Sequence, residues 1–428
     1  MATGATSVSG TKPAARPGFV LGMLCFVYVL NFLDRQLLSI LAKPIQDALQ
    51  ISDGQLGLIS GLYFAMFYCF IAIPVGWFAD RTSRVGVLSL ACAIWSGATV
   101  ACGMAANYTQ LAIARMVVGF GEAGGVPPSY AIITDTYPPG KRAAALGIFN
   151  LGPAIGAAAG VAFGAAIAEN FGWRIPFIAV GMIGIVTALL VWLTVREPAR
   201  GATDIAGPAV VEQAAFWPTV RMFLSHPVLM LAALGSGATQ FVTYGLGNFA
   251  VLFLMREKGM ALGDVAVWYA LVLLVGMGGG MIVSGRVIDR MVRKSRTGYA
   301  IAPAASLAVA MPFYLGFIWA PGWPLALALL TVVMIFNYFY LSASVALVQD
   351  EVKPGQRVLA GALLLLIMNF IGLGLGPTWV GFASDGFTAR GDAHGLQTAL
   401  YTLTPFYLIA IGLFLGLARL LRRQETKA

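Results

Sequence analysis

The sequence predicts an all-α, polytopic membrane protein: twelve transmembrane helices arranged as two six-helix bundles. Of its 428 residues, 59% are hydrophobic and only 11% are charged, far less charge than a soluble domain carries. Its apolar stretches are each about 20 residues or longer, the length needed to cross a bilayer. The same loop punctuation also recurs in both halves.

The first six stretches fall at 18–42, 55–79, 85–105, 109–133, 143–168 and 174–195. The second six fall at 227–253, 265–285, 299–319, 324–349, 358–383 and 399–419. Residues 1–17 are small and polar and read as a flexible tail, because the apolar run after them is too long for a signal-peptide core. Residues 196–226 mix charges with Pro198, Gly201, Gly207 and Pro208 and read as a linker. Within it, Phe216 to Leu224 has the pattern of an amphipathic interfacial helix. The bundles are expected at 18–195 and 227–420, with a second tail at 421–428.

The net charge is +9, which raises the question of a polyanionic partner. With both termini placed in the cytoplasm, only Lys43, Arg174, Arg256, Lys258 and Arg390 fall outside, and Arg35 and Arg115 fall within spans. The other Lys and Arg residues lie on the cytoplasmic side, the positive-inside bias of an inner-membrane, multi-pass protein. Basic residues dispersed over separate segments exclude a nucleic-acid surface. Cys25, Cys69, Cys92 and Cys102 lack CxxC spacing and read as apolar packing residues, while His226 and His394 have no ligand partners nearby in sequence. Neither a metal nor any other cofactor is expected.

After the second span comes Gly76-Trp-Phe-Ala-Asp80-Arg81-Thr-Ser-Arg84, and after the eighth Gly285-Arg-Val-Ile-Asp289-Arg290-Met-Val-Arg293. Pro139-Gly140-Lys141-Arg142 and Pro354-Gly355-Gln356-Arg357 repeat in the same way after spans four and ten. The offsets are 209 and 215 residues, so the chain is a tandem duplication of a six-span unit. An even number of spans keeps both copies in one orientation, which places a substrate site between them near the midplane.

The duplicated plan and its two Gly-x3-Asp-Arg-x2-Arg loops resemble the major facilitator superfamily over nearly the whole chain. Asn31-Phe-Leu-Asp34-Arg35 in span one and Arg115-Met-Val-Val-Gly-Phe-Gly-Glu122-Ala in span four resemble, more narrowly, the spinster branch of lysolipid and sphingolipid transporters. Gly124-Gly125-Val126-Pro127-Pro128 departs from the Ser-rich run of that branch. The resemblance implies alternating access. It also implies that Asp80 and Arg84 latch the cytoplasmic side, with Asp135 as partner and Arg81 nearby. Asp289, Arg290 and Arg293 are the matching gating candidates in the second half.

Span interiors hold only four ionisable residues, Asp34, Arg35, Arg115 and Glu122, all in the first half. Each alone costs about 2.5–3.5 kcal/mol at a bilayer centre, whereas two acids and two bases can neutralise one another. Arg115 and Glu122 are almost two turns apart on one helical face, and the adjacent Asp34 and Arg35 point about 100° apart. Arginine keeps its proton, so the acids must titrate. A rearrangement that separates Glu122 from a guanidinium would make it take up a proton. Either acid could carry the coupling proton; Glu122 is favoured because Asp34 is the better match for Arg115.

Asn31, four residues before Arg35, either lines the same face or packs by a hydrogen bond. Gly147, Gly152, Gly156 and Gly160 in span five permit close helix approach, and the glycines of spans eight and eleven mark flexible segments. The second half offers polar groups instead of charge: Thr239, Gln240, Thr243, Tyr244 and Asn248 in span seven, Asn337 in span ten and Asn369 in span eleven.

The expected protein is a proton-coupled monomeric carrier of a lysophospholipid, sphingoid or similar amphiphile. Its head group would meet Arg35, Glu122, Asn31, Thr243, Tyr244, Asn337 and Asn369. An organic-anion or multidrug carrier on the same fold is the alternative. The sequence holds no HExxH, GxSxG or Walker loop that would suggest an enzyme and no rings of like charge that would suggest a pore.

Overall fold

The structure, a computed structural model, describes residues 17–79, 81–198, 216–353 and 356–426. Asp80, residues 1–16 of the expected tail, most of the linker and the Pro354-Gly355 pair lie outside the described residues. Among those described, every regular element is helical. Spans one, three and six are Pro17–Ile40, Arg84–Met104 and Arg174–Thr194; spans seven and nine are Pro227–Lys258 and Gly298–Trp319. Spans eight, ten, eleven and twelve occupy Leu262–Val292, Trp323–Glu351, Arg357–Ala389 and Gly395–Glu425.

Several spans are broken, and the breaks follow backbone chemistry. Span two runs as Asp53–Ser60 and Leu62–Ala79, interrupted at Gly61, where the Leu62 amide donates to Thr378 Oγ1 of span eleven at 3.2 Å. Span four is split into Tyr108–Glu122 and Val126–Thr136. Pro127 and Pro128 supply no amide to the preceding turn, and Gly124 and Gly125 lie within the break. Span five is split into Pro139–Phe149 and Gly152–Phe171 in the same way, just before Pro153. Spans eight and eleven contain π-helical turns at Val265–Tyr269, Leu274–Gly278 and Phe370–Leu375, where the sequence clusters glycine.

Two boundaries differ from the sequence expectation. The last helix continues to Glu425, so most of the expected 421–428 tail is helical. The linker contains a helix, Phe216–Ser225, held against spans seven and eleven through its buried Thr219 and Phe223.

Twelve crossings return both described chain ends to one face of the bundle, here called the terminal face. The hydrogen bonds that join the two halves among the described residues lie toward the opposite face, which they seal. There Arg256 of span seven bonds Asp53 of span two at 2.8 Å and 3.0 Å, and Asp385 of span eleven accepts from the Asp53 and Gly54 amides at 3.0 Å and 2.9 Å. Closer to the midplane, Ser39 Oγ donates to Asn248 Oδ1 at 3.0 Å.

Within the first half, span one lies against span five with no room for a side chain between them. A Cβ on Gly156 would sit 2.3 Å from the Val29 carbonyl oxygen, whereas one on Gly147 would meet nothing within 4 Å. Gly156→Ala is therefore expected to cost about 1–3 kcal/mol by overpacking, lowering the thermal midpoint in detergent. Gly147→Ala should leave it unchanged or slightly higher; equal midpoints for the two variants would contradict this packing.

Candidate functional site

The broken fourth span positions the site. Gly119 presses on span two, where a Cβ would sit 2.5 Å from the Phe64 carbonyl oxygen, and Gly121 presses on span three, 2.6 Å from the Trp95 amide nitrogen. Only glycine admits both approaches. The helix ends at Glu122, and Ser129 Oγ caps the Gly125 carbonyl beyond the break at 2.7 Å. The close approaches turn the face carrying Arg115 and Glu122 toward span one.

Two ion pairs result. Arg35 Nε donates to Glu122 Oε2 at 2.6 Å, and Arg115 Nη1 lies 3.9 Å from Asp34 Oδ2. Adjacent residues of span one thus serve different partners, as helical geometry requires. The side chain of Glu122 is 0% exposed and that of Arg35 12% exposed; those of Asp34 and Arg115 are no more than 3% exposed. Arg35 is therefore the member of the quartet that reaches the space between the halves. Thr99 of span three supports Asp34, its Oγ1 donating to Oδ2 at 2.9 Å. Asp34 Oδ1, Glu122 Oε1, and Nε and Nη1 of Arg115 make no hydrogen bond among the described residues.

Span two adds rings. The Arg35 guanidinium lies 5.0 Å from the Phe32 centroid, 5.2 Å from Phe64 and 4.7 Å from Tyr68. Phe64, almost fully buried, also lies 5.2 Å from the Arg115 guanidinium, so one ring touches both cations. Thr99, Phe64 and Tyr68 are absent from the sequence-derived site. The dense aromatic run Tyr63-Phe64-Ala-Met-Phe67-Tyr68 is the signal that could have found two of them.

The second half contributes less than expected. Tyr244 is half-buried and within electrostatic reach of Arg35 and Glu122, and Asn31 is buried with Oδ1 unpaired. Asn369 is half-buried at the start of the π-helical turn of span eleven. The structure corrects two placements. Asn337 is fully buried inside the second bundle, accepting from Tyr407 of span twelve at 3.1 Å, and Thr243 is buried with its hydroxyl donating to the Thr239 carbonyl of its own helix at 2.9 Å. Both polar groups are occupied by packing and point to no shared site.

At the terminal face, Arg84 is ion-paired with Asp135. Glu197, just past span six, accepts from Ser83 Oγ at 2.8 Å and from the Arg84 and Val85 amides, each at 2.9 Å. Arg81 packs its guanidinium 3.9 Å over the Trp77 ring. The second half has a matching arrangement at residues that the motif repeat does not pick out. Arg296 pairs with Glu351 at 2.6 Å, and Glu425 accepts from Ser295 Oγ and the Arg296 amide. Asp289, Arg290 and Arg293, the residues aligned by spacing, are exposed without an ion pair or hydrogen bond among the described residues. Helix Gly279–Val292 runs past the point where the first copy ends, and this moves the structural counterpart of Arg84 three residues on.

The Major Facilitator Superfamily model matches residues 24–377. The chain belongs to the Major Facilitator Superfamily. It is a transporter of the spinster-like kind. It is similar to an inward-facing, unoccupied crystal structure of a bacterial homolog to the human lysosomal transporter spinster, with a TM-score of 0.88 and 32% identity over 97% of this chain and 99% of that one. An MFS-type efflux pump of Mycolicibacterium smegmatis is 32% identical, covering 89% of this chain and 88% of that protein. Protein spinster homolog 1 of Homo sapiens is 26% identical over 89% of this chain and 75% of its own length.

For this facilitator, the terminal-face geometry separates two neighbouring arginines. Arg296→Gln leaves the buried Glu351 carboxylate without its guanidinium and should cost about 1–3 kcal/mol. Arg293→Gln should stay within about 0.5 kcal/mol of the parent. Thermal unfolding in detergent compares the two directly, and a larger loss from Arg293→Gln would contradict the assignment.

Proposed function

We propose that this facilitator is a proton-coupled, alternating-access carrier of an amphiphile, with its terminal face in the cytoplasm of an inner membrane and acting as a monomer. The observation that carries the reading is the Arg35–Glu122 pair: a completely buried carboxylate whose counter-charge comes from the one quartet member that reaches the space between the halves. A substrate anion that draws Arg35 away leaves Glu122 buried without a cation, and a lone buried carboxylate takes up a proton. Binding and protonation are thereby linked, and Asp34, held by both Arg115 and Thr99, keeps its charge.

The amphiphile is supported by the rings around Arg35 and the apolar second half, together with the likeness of Asn31–Arg35 and Arg115–Glu122 to spinster lysolipid and sphingolipid transporters. In this arrangement a polar head meets Arg35, Asn31 and Tyr244 while hydrocarbon lies against the second bundle. A second reading, an organic-anion carrier, draws on other relatives. The hexuronate transporter of Bacillus subtilis is 26% identical over 83% of this chain, and the D-galactonate transporter of Escherichia coli is 28% identical over 67%.

The test is uptake into proteoliposomes under an imposed pH gradient, with lysophospholipids, sphingoid bases and hexuronate compared in one panel. Glu122→Gln is expected to abolish the dependence on the gradient and to lower the driven rate by about tenfold or more, while equilibrium exchange persists. Gradient-dependent uptake that is unchanged in Glu122→Gln would remove Glu122 from the coupling role. Uptake of hexuronate without any lysolipid or sphingoid base would transfer the protein to the second reading.

A further inference from the structure

A second buried carboxylate lies far from the central quartet, at the seal between the halves. Asp53 begins the second span and is 6% exposed, yet it receives four side-chain hydrogen bonds from three helices. Arg256 binds it in the two-pronged manner of a guanidinium on a carboxylate, Nη1 to Oδ2 at 2.8 Å and Nη2 to Oδ1 at 3.0 Å. Gln46 Nε2 donates to Oδ1 and Ser384 Oγ to Oδ2, both at 2.6 Å. The same Arg256 Nη2 donates to Gln46 Oε1 at 3.0 Å. Glu257, the nearest rival for the guanidinium in sequence, is taken up by His394 Nδ1 at 2.5 Å.

The bond pattern crosses the molecule twice. Gln46 and Asp53 belong to the first half, Arg256 and Ser384 to the second. Asp385 adds a contact of another kind, its two carboxylate oxygens accepting from the amides of Asp53 and Gly54 at the first turn of the second span, where free amides and the helix dipole favour an anion. Backbone packing seals the same seam: a Cβ on Gly381 would sit 2.2 Å from the Asp53 carbonyl oxygen, and one on Gly57 would sit 2.5 Å from the Pro377 carbonyl oxygen. By contrast, Arg84–Asp135 and Arg296–Glu351 at the terminal face each join residues of a single half. The charged contacts that must part for the sealed face to open are therefore concentrated at Asp53, Arg256 and Asp385.

We propose that Asp53, Arg256 and Asp385 form the latch that holds the sealed face shut and so set the balance between the two access states. The inference goes beyond the proposed coupling and substrate and requires only that the transporter have two conformations. Opening the sealed face withdraws Arg256 and Ser384 from Asp53 and strips Asp385 from the helix start, leaving hydration to satisfy each group. Removing one partner in advance lowers the barrier to that separation, because the group left behind is already unpaired in the closed state.

The experiment places spin labels at Ala48→Cys and Ala389→Cys, exposed positions on opposite halves near the sealed face. Pulsed electron-electron distance measurements are made on full-length protein in lipid nanodiscs, in a background free of the four native cysteines. Asp53→Asn, Arg256→Gln and Asp385→Asn are each expected to raise the ratio of the long to the short distance by about tenfold or more. The Asp53→Asn/Arg256→Gln double variant should shift the ratio no further than the larger single shift, since both changes break one interaction. Unchanged distance distributions in all three single variants would overturn the latch, as would fully additive shifts in the double variant. The readout needs neither substrate nor a proton gradient, so its failure is separate from failure of the coupling reading.

Discussion

The aversion of a bilayer interior to unpaired charge governs the first half of this transporter. Four ionisable side chains in the middle of the spans would be prohibitive singly, and the fold resolves them into two pairs within one bundle, Arg35–Glu122 and Arg115–Asp34. That pairing requires spans one and four to lie together over the same stretch. It also requires spans two and three to close in behind them, which the glycines of span four allow. The breaks, the close glycine contacts and the aromatic lining all follow from holding those four groups at fixed separations in a medium with no water to substitute for a missing partner.

The second bundle obeys a different constraint. With no charge in its span interiors, its polar side chains are free to satisfy each other or their own helix backbones, as Asn337 and Thr243 do. The result is an asymmetric pair: a first half carrying the ionic chemistry, and a second half presenting a largely apolar wall with Tyr244 and Asn369 as its polar points. The halves are nevertheless copies in their framework. At the terminal face each uses an arginine at the start of its third span, a carboxylate at the end of its fourth and a glutamate past its sixth.

Much of this was legible in the residues. Twelve apolar runs and a duplicated loop motif were enough for the two-bundle plan, because span length and hydropathy are set by the membrane and leave a one-dimensional trace. The quartet was legible for the same reason, since charge inside an apolar run is conspicuous. What the sequence concealed depends on three-dimensional register. Arg296 escaped notice because counting residues from the loop motif ignores the extra length of the helix before it. Asn337 and Thr243 were misplaced because a polar residue in a span looks the same whether it faces a partner helix or a shared cavity. Asp53 lay at a span boundary, where a carboxylate is unremarkable until Arg256, some two hundred residues away, is seen against it.

The Phe64 ring between the two guanidiniums has a consequence for how the quartet responds to change. Four alternating charges in open contact would trade partners freely, and altering one would redistribute all of them. A buried ring against both cations acts as an insulator: it attracts each guanidinium through its faces and edges while offering neither an alternative anion. The two ion pairs are thereby kept as separate circuits, and one can be opened at Arg35 while the other, at Arg115, stays closed and keeps spans one and four in register.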